Sequence, residues 1–229
     1  MTEDEFFSEL EDGWAIRQDE LLALQNLAAR MEIADADRYR RAMVLMLYAH
    51  FEGGVKFSLQ VYVKFLNELN IAVGDANAEI AAAGISDVMQ ALRDPYRKCP
   101  EFSRELPDDS DLHRFARDRE LMSVLPEILG RRLSIDDRVV NTESNLKPVV
   151  LRKILYRLGL DHHLYDHHEY AINKMIRIRN SIAHGESMTG VSKERYDRLR
   201  DVVFDVMRDV RLKLRDSLHR QVYRRKAAA

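Results

Sequence analysis

The sequence predicts an all-α protein, a bundle of long antiparallel helices. Two observations carry that prediction. Apolar residues recur at helical spacing through several long stretches. Gly and Pro number only 9 and 5 in 229 residues, too few for the many turns of an all-β chain. With 46% hydrophobic and 32% charged residues, the chain can bury a sizeable core. We expect a single domain over residues 1–226, with a mostly helical insertion at about 70–140. The final Ala227-Ala228-Ala229 reads as a vector-derived scar.

The elements follow in order. Phe6, Leu10, Ile16, Leu21, Leu24 and Leu27 place a first helix over about Glu3–Met31. A second, unusually long helix is expected to about Leu69, with Asp35 or Asp37 as its cap. Its middle, Ala42 to Ala49, is apolar all round, which puts it at the centre of a bundle. Within the insertion we expect a helix over Asn77–Arg93, then a stretch punctuated by Pro95, Pro100 and Pro107. A helix from Asp108 is expected to stop at Leu125, before Pro126, and Leu133–Val140 reads as extended chain or loop. Helical periodicity returns over Lys147–Leu158, ending at Gly159, and over His167–His184, ending at Gly185. A last helix spans about Ser192–Arg225, with Val202, Val203, Val206, Val210, Leu212 and Leu214 on its apolar stripe.

Charge and cysteine usage narrow the setting. The formal net charge is -2, so total charge gives no sign of nucleic-acid binding. Arg and Lys are dense from Lys193 onward, up to Arg224-Arg225-Lys226. They can hold an RNA backbone, or form a solvated face paired with Asp201, Asp205 and Asp209. The lone Cys99 cannot form a disulfide within the chain, which suits a reducing cytoplasm. No secretory signal or membrane span is expected: the longest apolar run, Ala42–Ala49, is far too short to cross a bilayer.

The chemistry concentrates near the end of the penultimate helix. At about 100° per residue, Ile172, Met175, Ile176, Ile182 and Ala183 share one apolar face, and Arg179 falls in its middle. A guanidinium there needs a partner, either a carboxylate on another helix or a ligand in a shared site. His184 stands five positions later, about 140° around the helix, one turn beyond Asn180. In the last turn it can act as a cap favoured by the helix dipole. A cation, an amide and an imidazole can also cleave RNA without a metal. Histidine takes or gives the proton, and arginine stabilises the phosphate. One helix end supplies only one imidazole, so an acid and a base would require a second copy of the chain.

Arg179-Asn180 followed by His184 resembles the R-x(4–6)-H motif of the HEPN superfamily. Leu47-Tyr48-Ala49-His50-Phe51-Glu52-Gly53 resembles the YAHxEG signature of one bacterial group of HEPN-like nucleases. Asn141-Thr142-Glu143-Ser144-Asn145-Leu146 and the Leu155–Asp161 segment resemble the same group. The resemblance implies a HEPN-type bundle and a homodimer with a composite active site. It implies metal-independent cleavage of RNA to a 2′,3′-cyclic phosphate, with no cofactor. It further implies a toxin or antiphage effector with an antitoxin or defence-system partner. Arg179, Asn180 and His184 would be catalytic, with Glu52 and His50 in support. A subgroup carries a nucleotidylated Tyr two residues after the motif His; Glu186 stands there in this chain, which argues against that control. A silent HEPN module that binds RNA, nucleotide or protein is the alternative.

The remaining features have two readings each. Glu52 can orient Arg179 or a catalytic histidine, or pair with Lys56 one turn on. Gly53 and Gly54 point to close helix packing or a kink. The run Asp161 to Glu169 holds His162, His163, His167 and His168; His163 and His167 would share a face if helical, but no four-ligand spacing appears, and a polar loop is expected rather than a metal site.

Overall fold

The structure is a computed structural model that describes residues 1–94, 96–102 and 109–226. Pro95, Pro107, Asp108 and residues 227–229 lie outside the described residues. Eight α-helices and no strands occur among the described residues: α1 (Glu3–Ala28), α2 (Ile33–Glu68), α3 (Ala78–Gly84), α4 (Ser86–Arg93), α5 (Ser110–Gly130), α6 (Pro148–Arg157), α7 (Glu169–Ala183) and α8 (Lys193–His219).

Four of these form an up-down-up-down bundle. The register of α1 on α2 is antiparallel, as its contacts run in opposite directions. The N-terminal amine meets Glu68 at 2.6 Å, Glu9 meets Lys64 at 2.9 Å, and Glu20 meets His50 at 3.0 Å. Along α8 the order reverses. Gly54 faces Met207, and the Tyr62 hydroxyl hydrogen-bonds Ser217 at 3.0 Å, so α2 and α8 run parallel. A Cβ at Gly54 would stand 2.2 Å from Met207 Cε, so this glycine permits the close approach of α2 and α8. Nothing crowds Gly53.

Capping explains several boundaries. Thr2 accepts from the Glu5 amide while Glu5 reaches back to the Thr2 amide, a reciprocal start for α1. Ser192 caps α8 through the Arg195 amide. By contrast, neither Asp35 nor Asp37 caps α2. The helix already begins at Ile33, and these carboxylates pair with Arg38 and Arg40 one turn on. The Asp37 carbonyl instead accepts the Val191 amide, tying the α7–α8 loop to the start of α2.

The long connection between α2 and α7 departs from expectation at three points. The helix expected over Asn77–Arg93 is two helices, broken at Ile85 (φ -117°, ψ 21°). The helix expected to stop before Pro126 continues to Gly130. Pro126 and the Met122 turn beneath it are exposed, so the carbonyl left without its helical donor can meet water. Leu133–Val140 is loop, with a single-turn 3-10 helix at Asp137–Val139. Within this connection α4 and α5 add little to the core: α4 buries no residue, and α5 buries only His113 and Ile128.

α8 stops at His219, short of the expected Arg225. The following turn folds back and buries Tyr223. Its landing point is Asn77, which caps α3 through the Ile80 amide at 2.8 Å. Asn77 also donates to the Val222 carbonyl at 2.8 Å. Gly159, at φ +64°, ends α6 against the same side chain; a Cβ there would lie 2.7 Å from Asn77 Nδ2.

Candidate active site

The burial of α2 explains where the site forms. Met43, Val44, Leu47, Tyr48 and Phe51 are core residues, so this stretch of α2 faces its neighbours, while Ala42, Met46 and Ala49 remain exposed. Tyr48 lies against α7 and the loop before α6. Its hydroxyl accepts the Leu146 amide at 2.9 Å and donates to Asn145 Oδ1 at 3.2 Å. Burial drives its pKa far above the ordinary tyrosine range, with the neighbouring Glu52 carboxylate adding to the rise. The Leu146 amide and the charge on Arg179 only partly offset this. Tyr48 therefore keeps its proton at neutral pH, and its ring forms a platform beside α7.

Arg179 stands on that platform. Its guanidinium carbon is 4.9 Å from the Tyr48 ring centroid, and Nη1 donates to Asn180 Oδ1 at 2.9 Å. Among the described residues no carboxylate comes within ion-pair distance of Arg179. The structural ion pair that its place in an apolar face could have signified does not form among the described residues. Glu52 reaches Tyr48 rather than Arg179, and it makes no ion pair with Lys56. The half-buried guanidinium keeps donors free for an anion.

α7 ends next to this cation. The Glu186 amide bonds the Ser181 carbonyl at 2.9 Å and the Gly185 amide bonds Ile182 at 3.1 Å, a Schellman closure around Gly185 at φ +73°. This geometry stops the helix at His184, whose imidazole is exposed and unbonded among the described residues. Arg179, Asn180, Tyr48, Asn145 and Glu52 thus come together, with His184 one turn beyond Asn180.

His50 does not join them. It lies on the opposite side of α2, where its Nε2 is 3.0 Å from the Glu20 carboxylate but off the hydrogen-bonding direction. Burial lowers its pKa, Glu20 opposes that, and Arg17 reinforces it. Tyr48 and Asn145 are the residues that sequence reasoning did not assign to the site. The available signal was Tyr48 in the same motif as Glu52, one turn away.

The histidine run is a turn and a single 3-10 turn at Asp166–His168, so His163 and His167 do not share a helix face. His163 bonds Asp166 at 2.9 Å instead. Ligating atoms of His167, His168 and Asp209 lie within 4.8 Å of one another, the group best placed to hold a metal among the described residues. A cavity of about 520 Å³ lies between α3, α4 and α6, lined by Ala82, Gln90, Arg138 and Tyr156; Arg179 and His184 are not part of it.

Comparison with known families decides the kinship. The family model described as RiboL-PSP-HEPN matches residues 14–216. The chain belongs to the HEPN superfamily. The match runs from within α1 through nearly all of α8, across the bundle helices and the α2–α7 connection. No curated protein and no solved structure matches the chain. HEPN membership is compatible with RNA cleavage or RNA binding. No helix of the described residues is long and apolar enough to cross a membrane.

Proposed function

We propose that this HEPN protein is a metal-independent endoribonuclease. The observation that carries the reading is Arg179: a half-buried guanidinium stacked on Tyr48, oriented by Asn180, and without a carboxylate counterion among the described residues. Such a cation can bind a phosphodiester and stabilise the charge that develops in the transition state. The His184 imidazole takes the 2′-hydroxyl proton, and the 2′-oxygen attacks the phosphorus. The P–O5′ bond breaks, and a second imidazole protonates the leaving 5′-oxygen. The products are a 2′,3′-cyclic phosphate and a free 5′-hydroxyl. The second imidazole is His184 of another copy, across a two-fold axis. The exposed Ala42, Met46 and Ala49 on α2 supply an apolar strip that suits such pairing. Tyr48, Glu52 and Asn145 position Arg179. A toxin or antiphage role, restrained by a partner protein, fits a nuclease of this kind.

Single-turnover cleavage of RNA by point variants tests the assignment. His184→Ala and Arg179→Ala are each expected to slow cleavage by at least about 100-fold. Wild-type rates in both variants would transfer the chemistry elsewhere and favour a silent RNA-binding module.

A further inference from the structure

The outer face of α7 carries a second pattern. Tyr170, Lys174, Arg177, Ser181 and His184 recur at intervals of three and four, within an arc of about 80°. They form one stripe about 21 Å long. Arg179 lies on the other side of the helix. Tyr170 is 72% exposed, Lys174, Arg177 and His184 are exposed, and Ser181 is half-buried.

The cations of this stripe differ from several of those on α8, although Arg195, Arg198, Lys213 and Arg215 of α8 also lack a carboxylate partner among the described residues. There, Lys193 pairs with Asp197, Arg200 with Asp197 and Asp201, Arg208 with Asp205 and Asp209, and Arg220 with Asp216. Those charges are neutralised within the helix. On α7, Lys174 lies 6.0 Å over the Tyr170 ring, and Arg177 donates to the Asn173 carbonyl of its own helix at 3.4 Å. Among the described residues neither has a carboxylate partner. The only acid of α7, Glu169, is held by Arg152 at 2.6 Å. An exposed Glu186 lies beyond His184.

We propose that this stripe is a track for single-stranded RNA leading to His184. The proposal rests on the ribonuclease reading and names the form of its substrate. Two uncompensated cations match successive backbone phosphates, and the exposed Tyr170 ring offers a stacking face. A duplex keeps its base faces stacked against each other, so the tyrosine selects an unpaired strand. The track aligns the strand along α7, so the scissile linkage arrives at the helix end.

The test uses the full-length protein and a fluorescein-labelled 2′-O-methyl oligoribonucleotide, which lacks the attacking hydroxyl and cannot be cut. Tyr170→Ala is expected to weaken binding about 10-fold. Lys174→Ala with Arg177→Ala is expected to weaken it further. That pair should also reduce the slope of log affinity against log salt by about 1.4, two contacts at roughly 0.7 each. A duplex of the same sequence is expected to bind more weakly than the single strand. Unchanged affinity and salt slope in the variants would overturn the track, and would leave the face to a protein partner. Cleavage of the unmodified strand separates the two proposals. If wild type cuts RNA while the variants bind like wild type, the track alone fails. If wild type binds through these residues but cuts nothing, the track stands and the nuclease reading fails.

Discussion

At the scale of single residues, Tyr48 does two jobs with two parts of its side chain. The ring supports Arg179, and the hydroxyl closes the Asn145–Leu146 loop onto α2. Tyr48→Phe separates them. It keeps the ring but strands the buried Leu146 amide, so chemical denaturation should show a loss of about 1–3 kcal/mol. Cleavage should fall much less than in Arg179→Ala. Equal losses in the two variants would mean that the hydroxyl, not the ring, matters to the reaction. Titration at His50 and His168 gives a second residue-scale expectation. Burial is the first cause of a lowered pKa for both. Below the ordinary histidine pKa, about 6.5, the unfolded chain therefore binds more protons than the folded one. The stability they contribute is fully present above that pH and is lost as pH falls through their folded values. Thermal melts between pH 7 and 5 should show this decline, and replacing both with Gln should flatten it. The sequence exposed Arg179 as anomalous because it interrupts an apolar face. It could not say whether a carboxylate answered it, since a counterion would come from another helix. That depends on packing, and the same limit hid the turn of His50 toward Glu20.

At the scale of elements, helix ends are where sequence and site meet. Gly185 takes φ +73° and so stops α7 at His184. A side chain at that dihedral is strained by about 1 kcal/mol or more. Gly185→Ala should lower thermal stability slightly yet slow cleavage more than that small loss explains, because the closure fixing His184 is disturbed. A melting shift with unchanged cleavage would show that the exact helix end is immaterial. Gly159 is the matching case without chemistry. Gly159→Ala meets both a left-handed φ and Asn77, and should destabilise without a separate effect on rate beyond the folded fraction. Both glycines were legible as helix stops, since Gly follows each periodic stretch. The start of α2 and the passage of α5 through Pro126 were less so. An early turn at residues 29–32 fixes one, and exposure of the Met122 turn permits the other. Local propensity registers neither.

At the scale of the whole molecule, the bundle was legible because its long helices bury wide apolar faces. The connection between α2 and α7 was less legible because α4 and α5 bury few residues, so burial does little to fix their boundaries. The bundle brings α2, α7 and the 141–147 loop together around Arg179, residues far apart in the chain. One copy displays one such cation and one such imidazole, and the chemistry proposed needs two copies. The most direct test of the account is the end chemistry of RNA cut by the purified protein in excess EDTA, read by mass spectrometry. The account predicts fragments ending in 2′,3′-cyclic phosphate, with free 5′-hydroxyls on the downstream pieces. Cleavage that stops on chelation, or 3′-hydroxyl and 5′-phosphate ends, would contradict it.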